Sequence, residues 1–283
     1  MRANLKQLNL LKIELKEETQ MRTISTLVLS LTLAYNLTFA QDTLYIYKSG
    51  SVVTKRAITD IDSIIFIKPT TPQFTVTDIE GNVYNTVSIG TQVWMVENLK
   101  TTKYRDGTNI QNVTGGTAWT NAGDAYCWYN NDEATYKNRY GALYNWYAVN
   151  SGKLAPLGWH IPTDAEWTTL INYLGGQNVA GGKLKESGTL HWQDPNTGAT
   201  NETAFTALPG GFRSGLGFSG GANPAGYFGN VGKHGNWWSS TKTLPQYYLQ
   251  NVAWRCAMSF GSIDATNTLQ DMRDGASVRC IKD

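Results

Sequence analysis

The chain has 283 residues, which is enough for one large domain or for a medium domain with a small appendage, and which excludes a miniprotein held by disulfides alone. Hydrophobic residues make up 41% and charged residues 16%, and the 10 Trp, 15 Tyr and 28 Gly are typical of a loop-rich exported domain rather than a charged helical enzyme. The formal net charge is +2, and the Lys and Arg residues form no basic block along the sequence, which argues against a nucleic-acid partner.

Residues 21–40 have the form of a signal peptide. An Arg follows Met21, an apolar stretch comes next, and Thr38 and Ala40 occupy the small-residue cleavage positions. This pattern predicts export to the periplasm, the cell surface or the medium, with no integral membrane span after cleavage; an uncleaved anchor is the alternative. Because Met21 is a natural start, we interpret residues 1–20 as a doubtful N-terminal extension, the alternative being a genuine amphipathic cytoplasmic segment.

Signal cleavage would change the charge of the protein. Residues 1–40 hold five of the 24 Lys and Arg and three of the 22 Asp and Glu, so 19 of each sign remain. The mature chain is therefore predicted to be neutral, which favours recognition by shaped, uncharged loops over electrostatic capture of a polyanion. No Cys lies at the cleavage point, so lipid attachment is not expected there.

Residues 41–68 are predicted to form a small β unit. Apolar Leu44 and Ile46 alternate with polar neighbours, residues 49–51 read Ser-Gly-Ser as in a tight turn, and a β-branched run covers residues 64–67. We expect two hairpin strands followed by a third strand.

A Pro-Thr-Thr-Pro linker at 69–72 is expected to be short and stiff, and residues 73–283 are predicted to form one domain of uniform composition. Short β-like runs are separated by Asp, Gly and Asn turns. The predicted strands are 74–76, 83–89, 92–96, 237–241, 252–260 and 277–281.

Two helices are predicted inside this domain. Thr163 and Glu166 have the spacing of a capping box, and residues 175–176, two glycines, end the helix that follows. The apolar face of this helix consists of Trp167, Leu170, Ile171 and Leu174. The second helix is expected over 141–149, with Leu143, Trp146 and Tyr147 on one face.

Seven phrases of the sequence carry a family resemblance. They are DIEGNVYNTVSIGTQVWMVENLKTTKYRDGTNI (78–110), AYCWYNND (125–132), YGALYNWYAVNSGKLAPLGWHIPTDAEW (140–167), GGKLKESGTLHW (181–192), TALPGGFR (206–213), GNWWSST (235–241) and ASVRCIKD (276–283). In this order they resemble the Fibrobacter succinogenes major paralogous domain, a family widespread in exported proteins of Bacteroidetes. The resemblance covers roughly residues 73–283.

The resemblance implies an α+β fold of the C-type lectin-like and sulfatase-modifying-factor-like (formylglycine-generating-enzyme) superfamily, with two main helices, small twisted antiparallel sheets and long loops. No defined biochemical activity comes with the family. Because Cys127 and Cys280 lie inside two of the phrases, the resemblance also favours a disulfide between them and a buried free thiol at Cys256. The alternative is that no disulfide forms and the cysteines are small core side chains.

No catalytic residue is predicted. The sequence lacks Cys-x-x-Cys and His-x-x-x-His, the close spacings that metal and redox sites usually need, so no cofactor is predicted. A calcium site from the oxygens of Asn130, Asn131 and Asp132 is an alternative, although three neighbours do not supply the six to eight ligands of Ca²⁺. The thiol oxidase chemistry known in the superfamily is disfavoured, because Cys280 is expected in a disulfide.

Binding is therefore the predicted function, and aromatic rings beside amides and carboxylates are the groups that sugars or peptides would contact. The candidate residues in the first loop are Trp128, Asn130 and Asp132, and those in the Gly-rich loop are Phe212, Arg213, Phe218, Asn223 and Tyr227. Trp128 also fits a purely structural role in the core. The expected partner is an unknown glycan or surface protein; the alternative is a structural component of the envelope or of a surface assembly.

Overall fold

The structure, a computed structural model, describes residues 43–48, 51–57, 74–217, 224–243 and 251–283. Four predictions fall outside the described residues and stay predictions. They are the extension at 1–20, the signal peptide at 21–40, the third strand at 64–67 and the linker at 69–72.

The chain divides into two compact units, residues 1–70 and 71–283. In the first unit, β1 (Thr43–Lys48) and β2 (Ser51–Ala57) pair as an antiparallel hairpin, which confirms the two predicted hairpin strands. The register shifts between Ile46 and Tyr47, which marks a bulge in the ladder.

The described part of the second unit combines short helices with many short strands. The helices are α1 (Gly116–Thr120), α2 (Glu133–Tyr140), α3 (Trp146–Asn150), α4 (Asp164–Tyr173) and α5 (Gln177–Leu184). The strands are β3 (Thr75–Thr77), β4 (Val83–Ile89), β5 (Gln92–Met95), β6 (Gln111–Asn112), β7 (Ala125–Cys127), β8 (Leu143–Tyr144), β9 (Trp159–His160), β10 (Gly210–Arg213), β11 (Phe228–Val231), β12 (His234–Lys242), β13 (Val252–Ser259), β14 (Ala265–Asp271) and β15 (Ile281–Lys282). None of the helices in these ranges has the length and apolar character needed to cross a bilayer.

The strands described in the second unit form four small sheets. Their orders are β3-β4-β5-β15-β9, β12-β13-β14, β6-β7-β8 and β10-β11. Every pairing in them is antiparallel except that of β6 with β7. The architecture is therefore α+β with small, mostly antiparallel sheets, and that part of the predicted fold class is confirmed.

The C-terminal strand is shorter than predicted. The run expected at 277–281 forms an isolated bridge at Ser277, and regular pairing begins only at Ile281, which lies between Trp94 of β5 and His160 of β9. Between Ser277 and Ile281, backbone carbonyls accept isolated hydrogen bonds; the Cys280 carbonyl, for example, accepts from the Met95 amide over 3.0 Å. The segment therefore bridges sheets instead of extending one.

Helix α4 begins with the predicted capping box. The Thr163 hydroxyl accepts from the Glu166 amide over 3.2 Å, and the Glu166 carboxylate accepts from the Thr163 amide over 2.8 Å. These two bonds satisfy amides that a helix start leaves free. The buried face of the helix packs against Trp94 and Trp237, whose rings lie 4.7 and 6.5 Å from that of Trp167.

The second predicted helix is wrong in its first half. Residues 143–144 form β8, and the helix α3 starts only after Asn145, whose Oδ1 accepts from the Ala148 amide over 3.1 Å. The same Oδ1 accepts from the Ala125 amide over 3.0 Å, so Asn145 joins the helix start to β7. The chain also forms α1, α2 and α5, which the prediction of two main helices omitted.

Buried indoles connect loops to the core. Four tryptophans, none more than 3% exposed, donate Nε1–H to a backbone carbonyl far along the chain, over 2.7–2.9 Å. The pairs are Trp119 to Arg273, Trp146 to Ser239, Trp192 to Ala207 and Trp238 to Tyr144. The high Trp content thus gives irregular segments both an apolar anchor and a hydrogen bond.

Arg213 is fully buried without a carboxylate partner among the described residues. Its guanidinium donates to the carbonyls of Val113, Thr114 and Gly226 over 2.5, 2.7 and 3.1 Å. Its carbon Cζ also lies 4.5 Å from the ring centroid of Trp119. The cation therefore connects β10 to the chain before α1 and to the turn before β11.

Lys185 is a second fully buried cation. Its ammonium donates to the carbonyls of Thr197, Ser259 and Ser262 over 3.0, 3.0 and 2.7 Å. Burial lowers the pKa of Lys185 to about 8, so the side chain stays protonated at neutral pH. The acceptors lie in the loop at Thr197, at the last residue of β13 and in the turn that follows β13, and the ammonium holds these places against the end of α5.

Arg279, in the C-terminal segment, is a third buried cation that donates to backbone carbonyls. Its guanidinium donates to the carbonyls of Phe205 and Thr206 and to the Oδ1 of Asn98, and it lies 4.1 Å from the centroid of the Phe205 ring. Burial without an ion-pair partner is tolerated because oxygen dipoles surround the charge.

We expect Arg213→Met to lower the free energy of unfolding by about 3 kcal/mol, because three buried carbonyls lose their donor. Arg139→Met, at an exposed position at the end of α2, is the control and should change it by less than about 0.5 kcal/mol. Urea unfolding of the two variants and the wild type measures the difference. Equal stabilities would contradict the linking role of Arg213.

Candidate functional site

Trp128, the central residue of the first predicted binding loop, lies in the core. It is 2% exposed, its ring packs edge to face on Tyr126 at 5.4 Å, and the Lys137 ammonium lies 5.2 Å from its ring centroid. The side chain therefore packs against α2 through Lys137, and neither face of its ring is accessible to a ligand in solution.

The two polar candidates of this loop shape the chain around Trp128. Asn130 is exposed and adopts a left-handed conformation with φ of 53°. Asp132 caps α2 by accepting from the Thr135 amide over 3.0 Å, and hydrogen bonds from Thr135 lower the pKa of Asp132. Asn131, the third residue of the calcium alternative, donates through its side-chain amide to the Thr114 carbonyl over 3.2 Å.

The described residues contain no group of three or more His, Cys, Asp or Glu arranged to hold a metal ion. One Asp132 oxygen in the proposed calcium set is already used by the helix cap.

The Gly-rich loop splits into an inner and an outer part. Arg213 is buried, and its donors go to backbone carbonyls, so its guanidinium does not face the solvent. Phe212 and Tyr227 are half-buried neighbours whose rings meet edge to face at 5.7 Å. Phe218 and Asn223 lie outside the described residues.

A carboxylate supports the start of the same loop. Asp274 is 6% exposed and accepts from the Gly215 amide over 2.5 Å. Burial raises the pKa of Asp274 to about 6, and no described cation lies within ion-pair distance of it. The loop start is thus fixed to the turn after β14.

The two predicted loops meet through aromatic neighbours of the named candidates. The Tyr129 ring lies 5.3 Å from Phe228 of β11 and 5.0 Å from Tyr136 of α2. Close approach at this point needs Gly211, since a Cβ there would lie 2.9 Å from the Tyr129 ring and 2.5 Å from the carbonyl oxygen of Gly229.

The row of rings continues along α2. Tyr136 lies 6.1 Å from Tyr140, four residues later, and Tyr140 lies 5.9 Å from the imidazole of His191. Tyr136 and Phe228 are half-buried, whereas Tyr129 and Tyr140 are 6% and 7% exposed and support them. We call Phe228, Tyr129, Tyr136, Tyr140 and His191 the aromatic strip.

One end of the aromatic strip is polar. His191 Nδ1 lies 2.9 and 2.8 Å from the two carboxylate oxygens of Glu186, and the two side chains are 18% and 16% exposed. At this end the Glu186 carboxylate lies beside the rings of the aromatic strip, and His191 Nε2 has no hydrogen-bond partner among the described residues.

Sequence reasoning missed the aromatic strip itself. Tyr136 and Tyr140 have helical i, i+4 spacing, but most of the other residues between Glu133 and Tyr140 are polar, so no apolar stripe indicated a helix there. The contact of Tyr129 with Phe228 joins positions 99 apart, which spacing alone does not reveal.

The structure does not contain the predicted disulfide between Cys127 and Cys280. Cys127, Cys256 and Cys280 are three free, fully buried thiols. Cys127 packs in one core cluster with Trp119 and Leu143, whereas Cys280 belongs to a different cluster, so each thiol serves as a small core side chain. Burial raises the pKa of Cys127 and of Cys256 to about 12 and raises that of Cys280 as well.

Comparison with known proteins identifies one similarity. The family model described as the Fibrobacter succinogenes major domain matches residues 87–282. No curated protein and no solved structure gives a significant match.

Thiol counting tests the cysteine assignment. We expect all three cysteines to react with a thiol reagent after unfolding without reductant, and none to react quickly in the folded protein, because burial suppresses the thiolate. Spectrophotometric titration measures the number. A single reactive thiol in the unfolded, unreduced protein would contradict this expectation and would show that two of the cysteines form a disulfide.

Proposed function

The chain belongs to the Fibrobacter succinogenes major domain family, and from this premise we propose that it is an exported, non-catalytic recognition module that binds a glycan through the aromatic strip. The observation that carries the proposal is the row of rings from Phe228 to His191, with neighbouring centroids 5.0–6.1 Å apart and a carboxylate at one end.

Sugar rings are amphipathic, with C–H groups on their faces and hydroxyls at their edges. Aromatic side chains stack on the faces, and carboxylates, amides and imidazoles accept or donate bonds at the edges. Tyr136 and Phe228 supply accessible ring surface, and Glu186 with His191 supplies the polar contacts.

The aromatic strip is held by elements that do not depend on a ligand. Arg213 lies 4.8 Å from the Phe228 ring and fixes β11 through its bond to Gly226, and the cap at Asp132 fixes the start of α2. A preformed surface loses little conformational entropy on binding, so weak individual contacts with a sugar chain suffice.

The proposal also assigns the α+β domain to a superfamily. The small antiparallel sheets, the short helices and the long ordered loops support a relationship to the C-type lectin-like and sulfatase-modifying-factor-like superfamily. In such an arrangement a compact scaffold carries variable loops, which is where binding residues usually lie.

Export is the second part of the proposal, supported by the signal-peptide form of residues 21–40. We expect the protein recovered outside the cytoplasm to begin at residue 41. N-terminal sequencing of the exported protein checks this, and retention of residues 21–40 on a membrane-bound product would instead indicate an anchor.

Tyr136→Ala is expected to weaken glycan binding about tenfold, because it removes an accessible ring of the aromatic strip without touching Arg213. The matched control is Tyr173→Ala on α4, since Tyr173 is a 65% exposed tyrosine outside the aromatic strip. A glycan array with the wild type selects the ligand, and titration calorimetry with that ligand compares the variants.

Two results would contradict the proposal. One is a folded wild type that binds no glycan on the array; the other is an equal loss of affinity in both variants. Stoichiometric recovery of the protein in a large surface assembly would favour the alternative role as a structural component.

A further inference from the structure

A small cleft lies apart from the aromatic strip and shares no residue with it. Its volume is about 170 Å³, and its walls are mainly apolar. The apolar residues that line it are Val149, Leu154, Ala155, Trp159 and Ile161, all at most 7% exposed. They come from α3, from β9, from the segment between these two elements and, for Ile161, from the position directly after β9.

The volume limits the ligand to one ring or one branched chain. An apolar cavity of about 150 Å³ accommodates benzene, so a phenyl group fits the space between these five side chains. A larger ligand would have to leave most of its atoms in solution.

The polar side chains that line the cleft are Arg105, His160 and Ser240, and Arg105 is exposed. Its nearest sequence neighbour with a negative charge is Asp106, which is already bound by the Lys153 ammonium at 2.8 Å and by the Thr108 hydroxyl at 2.6 Å. No acceptor among the described residues bonds to the Arg105 guanidinium. A free guanidinium beside an apolar cleft is suited to bind a carboxylate with two parallel hydrogen bonds.

His160 fixes one wall of the cleft. Its Nδ1 lies 2.7 Å from Asp283 and its Nε2 lies 2.8 Å from Glu166, so both ring nitrogens are occupied. Partial burial opposes the charge, but these hydrogen bonds raise the pKa of His160. The imidazole therefore shapes the cleft and leaves charge recognition to Arg105.

We propose that this cleft binds a small aromatic carboxylate, with the ring among Val149, Leu154 and Ile161 and the carboxylate on Arg105. The same chemistry is present in a free aromatic acid and in the C-terminal phenylalanine of a peptide. Both present one phenyl ring a short distance from one carboxylate.

Phenylacetate and its neutral counterpart phenylacetamide are the first probes, titrated into the full chain and followed by total tryptophan fluorescence and by amide chemical shifts. We expect saturable binding of phenylacetate and at least tenfold weaker binding of the amide. Arg105→Gln should remove this preference by weakening phenylacetate about tenfold while leaving the amide unchanged. Arg139→Gln is the matched exposed control and should bind as the wild type does.

Ala155→Leu provides a second, independent variant. The added side-chain volume enters the cleft, so the affinity for both probes should fall together. Circular dichroism and the unchanged binding of glycan at the aromatic strip would show that this variant is folded, whereas Arg105→Gln tests the proposal without altering the core.

Acetylated Ala-Ala-Phe with a free or an amidated C-terminus distinguishes the two sources. Tighter binding of the free-carboxyl peptide than of phenylacetate assigns the cleft to chain ends, and binding of phenylacetate alone assigns it to free acids; either supports the proposal. No saturable binding of any probe, equal affinity for acid and amide, or no effect of Arg105→Gln would overturn it.

Discussion

The guanidinium of Arg213, buried among the carbonyls of Val113, Thr114 and Gly226, is the contact on which the rest of the candidate surface depends. It lies between the rings of Trp119 and Phe228, 4.5 and 4.8 Å from their centroids. A buried charge without an acidic partner is costly unless dipoles surround it, so the three carbonyls must stay in place for the domain to stay folded. The position of Phe228, and with it the end of the aromatic strip, follows from that requirement.

Lys185 and Arg279 apply the same principle elsewhere in the domain. Each gathers carbonyl oxygens mainly from loops, Lys185 at Thr197, at Ser262 and at Ser259, the last residue of β13, and Arg279 at Phe205 and Thr206. Backbone carbonyls in such segments have no ladder partner, and buried ones need donors. A long side chain with several N–H groups satisfies several carbonyls at once. Three internal cations and a set of buried indoles therefore order long loops in a chain whose sheets are small.

Ordered loops separate the two candidate binding regions. The aromatic strip combines residues of α2 and β11 that lie far apart in the chain, and its rings support one another. The cleft beside Arg105 uses apolar side chains around α3 and β9, with one wall fixed by the two bonds of His160. We propose a different ligand for each region, a glycan at the aromatic strip and a small aromatic carboxylate at the cleft.

Local patterns were sufficient wherever neighbouring residues decide the conformation. The sequence by itself determined the strand at Val83–Ile89 and the helix that starts at the Thr163–Glu166 capping box, because alternation and capping act over a few residues. The α+β class followed from the family resemblance of the seven phrases. The sequence also identified the segments around Trp128 and Phe212 as aromatic. Only the tertiary structure decided which rings are buried, that Arg213 faces inward, that Cys127 and Cys280 lie in separate clusters and that Tyr129 meets Phe228. These outcomes depend on packing between distant segments and on the carbonyls that buried cations gather, and neither leaves a periodic signal along the chain.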